Sequence, residues 1–248
     1  ECGKIGNVHN TTLVAGSFAF PLSAFPFRMS YLEVLILAVV QGLTEFLPVS
    51  SSGHLVVVNA VLDALDKAPT KDLLEVSITL HLGTLASVLV YYRREIARLF
   101  GEDWKVLPML VLGTIPAVIV GLGIKKGLSE SAADAVLENV LLAGLMFPVT
   151  AVMLVWAFRQ KQGEQPYQRV TWRQALLIGA AQALAILPGI SRSGATIAAG
   201  IGVGLDRQSA STFAFLLAIP AILGAGLLET LEVIEQGANT PLPVLAVG

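Results

Sequence analysis

Residues 41–54 read QGLTEFLPVSSSGH, and this polar string lies inside a strongly apolar chain. Of the 248 residues, 54% are hydrophobic and 14% are charged. An ordinary soluble domain carries about 25% charged residues. A bilayer can cover apolar surface that a small soluble protein could not hide, and backbone in lipid must form helices or closed barrels. We therefore predict a polytopic membrane protein with an all-α fold.

Charge and cysteine content narrow the function classes. The formal net charge is −2, so the chain lacks the overall positive charge that would indicate nucleic-acid binding. The single cysteine, Cys2, excludes an intrachain disulfide. The lipid bilayer is the partner that the composition predicts.

Four uninterrupted apolar stretches are each long enough to cross a bilayer, which takes about 20 residues of helix. Two further apolar regions, residues 31–65 and 172–205, are interrupted by Pro48 with its serines and by LPGISRSG. Each half of these regions is short for a span, so we predict two re-entrant helix–loop–helix hairpins whose loops reach membrane depth. The four spans are residues 73–92, 106–124, 136–158 and 211–231.

Basic residues are concentrated in two of the connecting loops. Residues 93–105 and 159–173 hold four Lys or Arg each, whereas residues 125–135 hold two. The positive-inside rule places the richer side in the cytoplasm. The first hairpin then opens to the outside of the cell and the second to the cytoplasm.

A repeat relates the two interrupted regions. Gln41, Leu43, Ser50, Ser52 and Gly53 recur as the same residue types 141 positions later. Three predicted spans separate the copies, and an odd number inverts the second copy relative to the first. Inverted repeats with broken helices commonly build their site at the repeat interface. We expect the two serine-rich loops to meet there.

Arg192 stands in the second loop, PGISRSGAT at residues 188–196. An arginine at membrane depth is costly, and its planar fork suits phosphate or carboxylate. Hydroxyl donors and glycines, which let backbone N–H groups approach an anion, flank it. These features predict an oxyanion ligand, above all phosphate; the alternative is a surface loop whose arginine pairs with lipid head groups. The candidate binding residues around it are Ser191, Ser193, Gly194 and Thr196.

Glu45 lies one helical turn after Gln41, so both side chains share one helix face. Its carboxylate could hold a divalent cation, which prefers oxygen ligands, or act as a general base. The Gln41 amide could help to ligate but takes no proton. A hydroxyl in a membrane helix is otherwise expected to bond the backbone. The remaining candidates are Ser50, Ser51, Ser52 and Gly53 as nucleophile or binding groups and His54 as acid or base.

His81 stands alone near the start of a predicted helix. We interpret it as a packing histidine.

The motifs QGLTEFLPVSSSGH and LPGISRSGATI, with HLGT and GTIPA between them and FAFLLAIPA after them, resemble the bacterial undecaprenyl-diphosphatase family linked to bacitracin resistance. The resemblance covers residues 29–248. It implies a polytopic enzyme that removes the terminal phosphate of undecaprenyl diphosphate and so recycles the lipid carrier of peptidoglycan synthesis. It also implies a divalent cation, Mg²⁺ or Ca²⁺, and a site that faces the outside of the bacterial cell membrane.

Residue roles carry over from the resemblance by motif position. Glu45 matches the family's essential acid and is the metal-ligand candidate, whereas Gln41 stands where many members have a second glutamate. Ser51 matches the serine favoured as nucleophile, His54 the motif histidine and Arg192 the phosphate-binding arginine. A mechanism that needs two carboxylates is therefore not expected here.

The resemblance also bears on the ends of the chain. Residues 1–28 have no family counterpart, and we expect them to be an extension outside the fold. Residues 29–248 form the predicted membrane phosphatase domain, which we expect to be truncated at its C-terminus because family members continue with two further spans.

A transporter or flippase for a phosphate-bearing lipid or solute is the alternative function, because inverted repeats with half-helices aimed at an anion also describe a carrier. A homodimer is compatible with the sequence. The nucleophile is either Ser51 or a water molecule that attacks the phosphorus directly.

Overall fold

A computed structural model describes residues 31–64, 73–161 and 163–235, and α-helices dominate these ranges. The all-α prediction is confirmed for them. The predicted extension at residues 1–28 and the C-terminal end of the chain lie outside the described residues. The helices are α1 (Tyr31–Phe46), α2 (Ser51–Ala64), α3 (Leu73–Tyr91), α4 (Arg93–Leu99), α5 (Val106–Gly127), α6 (Glu130–Leu137), α7 (Val140–Arg159), α8 (Trp172–Leu184), α9 (Arg192–Gly202) and α10 (Arg207–Glu235), with a short 3₁₀ helix at Tyr167–Arg169.

Within the described ranges, three helices are long and apolar enough to cross a membrane: α5, α7 and the segment Arg207–Leu227 of α10. Their outer faces carry exposed apolar side chains, such as Val152, which is 68% exposed. Such surface suits lipid rather than water. The chain is thus a membrane protein. The fourth predicted span falls on α3, whose segment Thr79–Tyr91 is apolar but shorter, so that span stays a prediction.

The predicted span at residues 136–158 is wrong at its start. Helix α7 begins at Val140, because the chain leaves helical geometry at Asn139. The side-chain oxygen of Asn139 accepts a hydrogen bond from the backbone N–H of Leu142 at 2.9 Å. This N-cap satisfies a donor that the first helical turn would otherwise leave unpaired. The preceding apolar residues belong to the separate helix α6.

Each interrupted apolar region consists of two helices joined by a loop. Residues 47–50 join α1 to α2, and residues 185–191 join α8 to α9. Pro48 lacks the backbone N–H that continuation of α1 would need. Ser50 has a φ of 72° and Gly189 a φ of 90°, both in the left-handed region that helices exclude. We call these segments the first loop and the second loop.

The two loops rich in basic residues contact each other. The buried carboxylate of Asp103 accepts a hydrogen bond from the Tyr167 hydroxyl at 3.2 Å and pairs with Arg98 at 3.1 Å. Burial, with the nearby charge of Asp103, raises the pKa of Tyr167 to about 12. The phenol is therefore neutral and donates its proton to the carboxylate throughout the physiological range.

Close helix packing forms the main core, which α5, α8, α9 and α10 share. Helices α5 and α8 approach where Gly113 faces Gly179. A Cβ atom added at Gly179 would lie 2.2 Å from the carbonyl oxygen of Gly113. Small residues allow such contacts between membrane helices. This contact fixes α8 and, through it, the second loop.

The variant Gly179→Ala should separate α5 from α8. Forcing a methyl group into a closed backbone contact costs about 1–3 kcal/mol. We expect the melting temperature of the detergent-solubilised protein to fall by several degrees. Gly123→Ala is the matched control, because nothing lies within 4 Å of a Cβ at that position of α5. Equal melting of both variants would contradict the packing described here.

Candidate active site

The two loops lie against the starts of α2 and α9. A Cβ atom added at Gly53 would lie 2.8 Å from the Cα of Gly189, which belongs to the second loop. A Cβ added at Gly194 would lie 3.4 Å from the side chain of Pro48 in the first loop. Each loop thus touches the start of the helix that follows the other, and glycine provides the space.

The helices after the loops are capped in the same way. The Ser50 hydroxyl accepts from the backbone N–H of Gly53 at 3.3 Å, and the Ser191 hydroxyl accepts from that of Gly194 at 3.0 Å. Each capping hydroxyl also contacts the serine hydroxyl two residues later, at 3.3 and 3.2 Å respectively. Serine N-caps satisfy the unpaired donors of a first helical turn. The motif SxSG therefore forms the same side-chain hydrogen bonds at both places, although φ is 72° at Ser50 and −70° at Ser191.

Thr150 of α7 holds the second loop. Its hydroxyl donates to the carbonyl oxygen of Gly189 at 2.9 Å and accepts from the backbone N–H of Ser191 at 3.0 Å. All three groups are buried, so these bonds replace hydration that the loop has lost. The position of Ser191 is thus set by a residue on a different helix.

Glu45 is the centre of the site. Its Oε1 accepts from Nη2 of Arg192, which forms an ion pair between the two halves of the chain. Its Oε2 accepts from the Ser51 hydroxyl at 2.5 Å and from the Gln41 amide nitrogen at 3.0 Å. The carboxylate is buried, and a buried charge needs such pairing and hydrogen bonding. A hydroxyl bonded to a carboxylate is the arrangement of a nucleophile with its base.

Arg192 retains further capacity to bind an anion. Its Nη1 atom is buried and has no hydrogen-bond partner among the described residues. An unpaired buried guanidinium nitrogen is costly in a protein. An oxyanion beside Arg192 would satisfy it while Nη2 stays on Glu45.

A cavity of about 210 Å³ opens beside these groups. At roughly 30 Å³ for each water in the liquid, this is the size range of a phosphate or diphosphate group. One wall comes from the two loops and the adjoining ends of α1, α2 and α9, and it carries most of the polar groups. The other comes from α3 and α10 and is largely apolar. The lining residues are Glu45, Ser50, Ser51, Ser52, Ala185, Ile190 and Arg192 on the first wall and His81, Leu82, Ala221, Ile222, Ala225 and Gly226 on the second.

His54 is bound to the first loop. Its Nδ1 lies 2.6 Å from the carbonyl oxygen of Ser50, and its ring packs edge-on against Phe147 with centroids 5.0 Å apart. Because a carbonyl only accepts, Nδ1 carries a proton, and Nε2 is the acceptor nitrogen of the neutral ring. Among the described residues, the cavity lining includes His81 but not His54.

Several predicted binding groups are bonded within their own loops. The Thr196 hydroxyl donates to the carbonyl oxygens of Arg192 and Ser193 in its own helix. The N–H groups of Gly53 and Gly194 are bonded to the capping serines. These bonds position the loops, and direct contact of these groups with a ligand stays a prediction.

Two residues of the site escaped the sequence reasoning. Thr150 is a lone hydroxyl in an apolar span, where a bond to its own helix backbone is the usual expectation; its partner lies 39 residues away. His81 was interpreted as a packing residue, and the structure places it in the cavity wall. Thr150 carries no local motif that could have identified it, whereas His81 begins the motif HLGT, to which the sequence reasoning assigned no role.

The oxygen atoms around Glu45 suit a divalent cation that also binds a ligand phosphate. Gln41 Oε1 is buried without a hydrogen-bond partner among the described residues and belongs to the side chain that bonds Glu45. The described residues contain no cluster of three or more His, Cys, Asp and Glu. Mg²⁺ is commonly held by one or two carboxylates together with substrate phosphates rather than by an all-protein cage. The oxygen atoms of Glu45 and Gln41 fit a cation that is held by one carboxylate together with a substrate phosphate.

The fold and the site together define a helical membrane protein with a buried polar centre where two serine-rich loops meet. The family model "Bacitracin resistance protein BacA" matches residues 34–248. The chain belongs to this family, as the resemblance of its motifs indicated.

Relatives with the name undecaprenyl-diphosphatase support this assignment. One from Rhodopirellula baltica is 47% identical over 219 residues, which is 88% of this chain and 81% of the relative. One from Carboxydothermus hydrogenoformans is 42% identical over 212 residues, or 85% of this chain and 77% of the relative. One from Erythrobacter litoralis is 36% identical over 249 residues, or 89% and 86%.

Thr150→Val should loosen the second loop without removing a charge. The variant leaves the Gly189 carbonyl and the Ser191 N–H buried and unpaired, at about 1–3 kcal/mol. Hydrogen exchange of the backbone amides in residues 185–191 should accelerate roughly ten- to hundredfold, as measured by mass spectrometry. Thr114→Val is the control, since the Thr114 hydroxyl donates within its own helix to Leu110. Unchanged exchange in Thr150→Val would refute the clamp.

Proposed function

We propose that this chain is a membrane undecaprenyl-diphosphate phosphatase, which hydrolyses undecaprenyl diphosphate to undecaprenyl phosphate and phosphate. The family membership and the name that the relatives share support this activity. The observation that carries it is Glu45, which accepts from Ser51 on one oxygen and from Arg192 on the other beside the cavity. Nucleophile, base and anion-binding cation thus stand within one hydrogen-bonded group.

Binding of the terminal phosphate is proposed at Arg192 and the first loop. The unpaired Nη1 of Arg192 would donate to a phosphate oxygen while Nη2 stays on Glu45. The hydroxyls of Ser50 and Ser52 line the same cavity and supply further donors. The helix that begins at Ser51 directs its positive end toward the loop, which favours an anion.

The proposed chemical step begins with attack of Ser51 Oγ on the terminal phosphorus. The hydroxyl proton passes to Glu45 Oε2, to which it is already hydrogen-bonded. The bond between the terminal phosphorus and the bridging oxygen breaks, and undecaprenyl phosphate leaves with that oxygen. Water then attacks the phosphoserine, Glu45 mediates the proton transfer, and phosphate is released. Arg192 stabilises the charge that builds on the phosphoryl oxygens in both steps.

His54 is proposed to act through the first loop. Its bond to the Ser50 carbonyl stabilises the left-handed backbone at Ser50, which precedes the nucleophile directly. Its Nε2 is the nitrogen that would exchange protons with solvent.

A divalent cation, Mg²⁺ or Ca²⁺, is proposed as the cofactor. Glu45 and the unpaired Oε1 of Gln41 are the residues that would hold it. A bound cation neutralises phosphate charge in the transition state of phosphoryl transfer.

The proposed architecture is a pair of inverted repeats with re-entrant hairpins in the bacterial cell membrane, with the site open to the outside. The same serine-to-glycine capping bond at the start of α2 and α9 supports a repeat. The excess of basic residues in the loops next to α4 and the 3₁₀ helix supports the orientation. All the site groups named here come from one chain, so this mechanism does not require the homodimer that the sequence leaves open.

The activity is tested by phosphate release from undecaprenyl diphosphate. We expect the purified protein in detergent to release phosphate with Mg²⁺ or Ca²⁺ and to lose most of this activity when a chelator is added. Readdition of the metal should restore it. If phosphate release is unchanged by the chelator, the proposal of a divalent cation cofactor is refuted. If no phosphate is released under any metal condition, the phosphatase proposal falls, and a carrier for phosphate-bearing lipids becomes the better explanation.

Ser51→Ala separates covalent catalysis from direct attack by water. Loss of an enzyme nucleophile lowers kcat by about a thousandfold or more. We expect a loss of that size, with the melting temperature unchanged. Ser87→Ala is the control, because the exposed Ser87 hydroxyl bonds only its own helix at Gly83. Near-normal turnover by Ser51→Ala would instead mean that water attacks the phosphorus directly.

A further inference from the structure

We propose that His81 is a further substrate-contacting residue, which binds the phosphate that carries the prenyl chain. The inference rests on the proposed function and extends it to the second phosphate of the substrate. It concerns the apolar wall of the cavity, which the reaction described above leaves without a role.

The direction of His81 follows from the face of α3 on which it lies. Thr84, Leu85 and Val88 follow it at helical spacing, and they are 5%, 4% and 3% exposed. On the other face, Val90 is 66% exposed. Residues three, four and seven apart lie on one side of a helix. His81 therefore belongs to the face of α3 that turns into the protein.

This face of α3 reaches the catalytic groups. Thr84 and Val88 line a small second cavity together with Glu45 and Arg192. One turn earlier, His81 lines the larger cavity with the same Glu45 and Arg192. His81 therefore shares a cavity with the residues proposed to bind and attack the terminal phosphate.

The surroundings of His81 in its wall are apolar. Helix α3 packs on α10 through a buried cluster of Leu85, Ala218 and Ile222. Among the lining residues that these two helices contribute, His81 alone has a nitrogen or oxygen atom in its side chain. The other members, such as Leu82 and Ile222, suit a hydrocarbon chain.

The shape of the substrate connects these two walls. The terminal phosphate must reach Ser51 and Arg192, whereas the prenyl chain must leave along an apolar surface. The second phosphate lies between them and faces the apolar wall. A charged group there loses water and needs a hydrogen-bond donor in exchange. An imidazole carries at least one N–H donor in either protonation state, and His81 provides it in that wall.

The test compares His81→Leu, which removes the donor, with His81→Gln, which retains one. A hydrogen bond to a charged group corresponds to roughly a ten- to hundredfold change in binding. We expect His81→Leu to raise KM for undecaprenyl diphosphate by that factor with kcat within about threefold of wild type, and His81→Gln to restore most of the difference. Ser87→Ala on the same helix should match wild type.

Inhibition by simple anions identifies which phosphate His81 contacts. Inorganic pyrophosphate has a second phosphate and orthophosphate has none. We expect His81→Leu to weaken inhibition by pyrophosphate roughly tenfold or more and to leave inhibition by orthophosphate unchanged. Equal weakening of both, or of neither, would overturn the assignment to the second phosphate.

A packing histidine predicts a different result. Its loss would lower the melting temperature and kcat and would not discriminate between the two anions. If neither His81 variant folds in detergent, the packing role is established and the proposal falls.

The two proposals fail in different ways. Wild-type protein that releases no phosphate refutes the phosphatase. Pyrophosphate binding, measured as a rise in melting temperature, still reports on His81 in that case. Its loss in His81→Leu supports the contact, and its persistence refutes it.

Discussion

The ion pair between Glu45 and Arg192 is the interaction on which the site depends. Breaking a buried pair by removing one partner costs about 3–5 kcal/mol, because a charge is left uncompensated. The two residues are 147 positions apart, one at the end of α1 and the other at the start of α9. Each therefore needs the other half of the chain to be folded beside it. The polar centre is a property of the assembled bundle, and neither helical pair could maintain it alone.

Backbone contact between the start of α2 and the second loop makes this pair possible. Any side chain at Gly53 would overlap Gly189, so the two loops would have to separate and the ion pair would open. Thr150 then fixes the second loop from a third direction. The constraint is geometric. Residues at the contact must have little or no side chain, and the residues beside it must supply hydrogen-bond donors. The recurring combination of serine and glycine meets both needs.

The sequence predicted the fold class and the meeting of the two loops, because composition and a repeated motif are properties of the chain itself. It did not predict that α7 starts at Val140, since an apolar stretch has no boundary until Asn139 caps the helix. It assigned Arg192 to oxyanion binding, and it left Glu45 open between cation ligand and general base and Ser51 open between nucleophile and direct attack by water. The bond of Ser51 to Glu45 depends on the turn at residues 47–50, and no pattern of residue types determines that turn.

The two histidines show the physical limit of such reasoning. His54 was predicted to act as an acid or base, and that role stays a prediction. Its Nδ1 is bound to the Ser50 carbonyl, which the left-handed backbone of Ser50 presents to it. His81 was expected to pack, yet α10 leaves a cavity beside it instead of filling the space. Whether a polar side chain packs or meets a ligand is decided by the helix across from it. In this protein that helix begins 126 residues after His81, beyond the reach of any local motif.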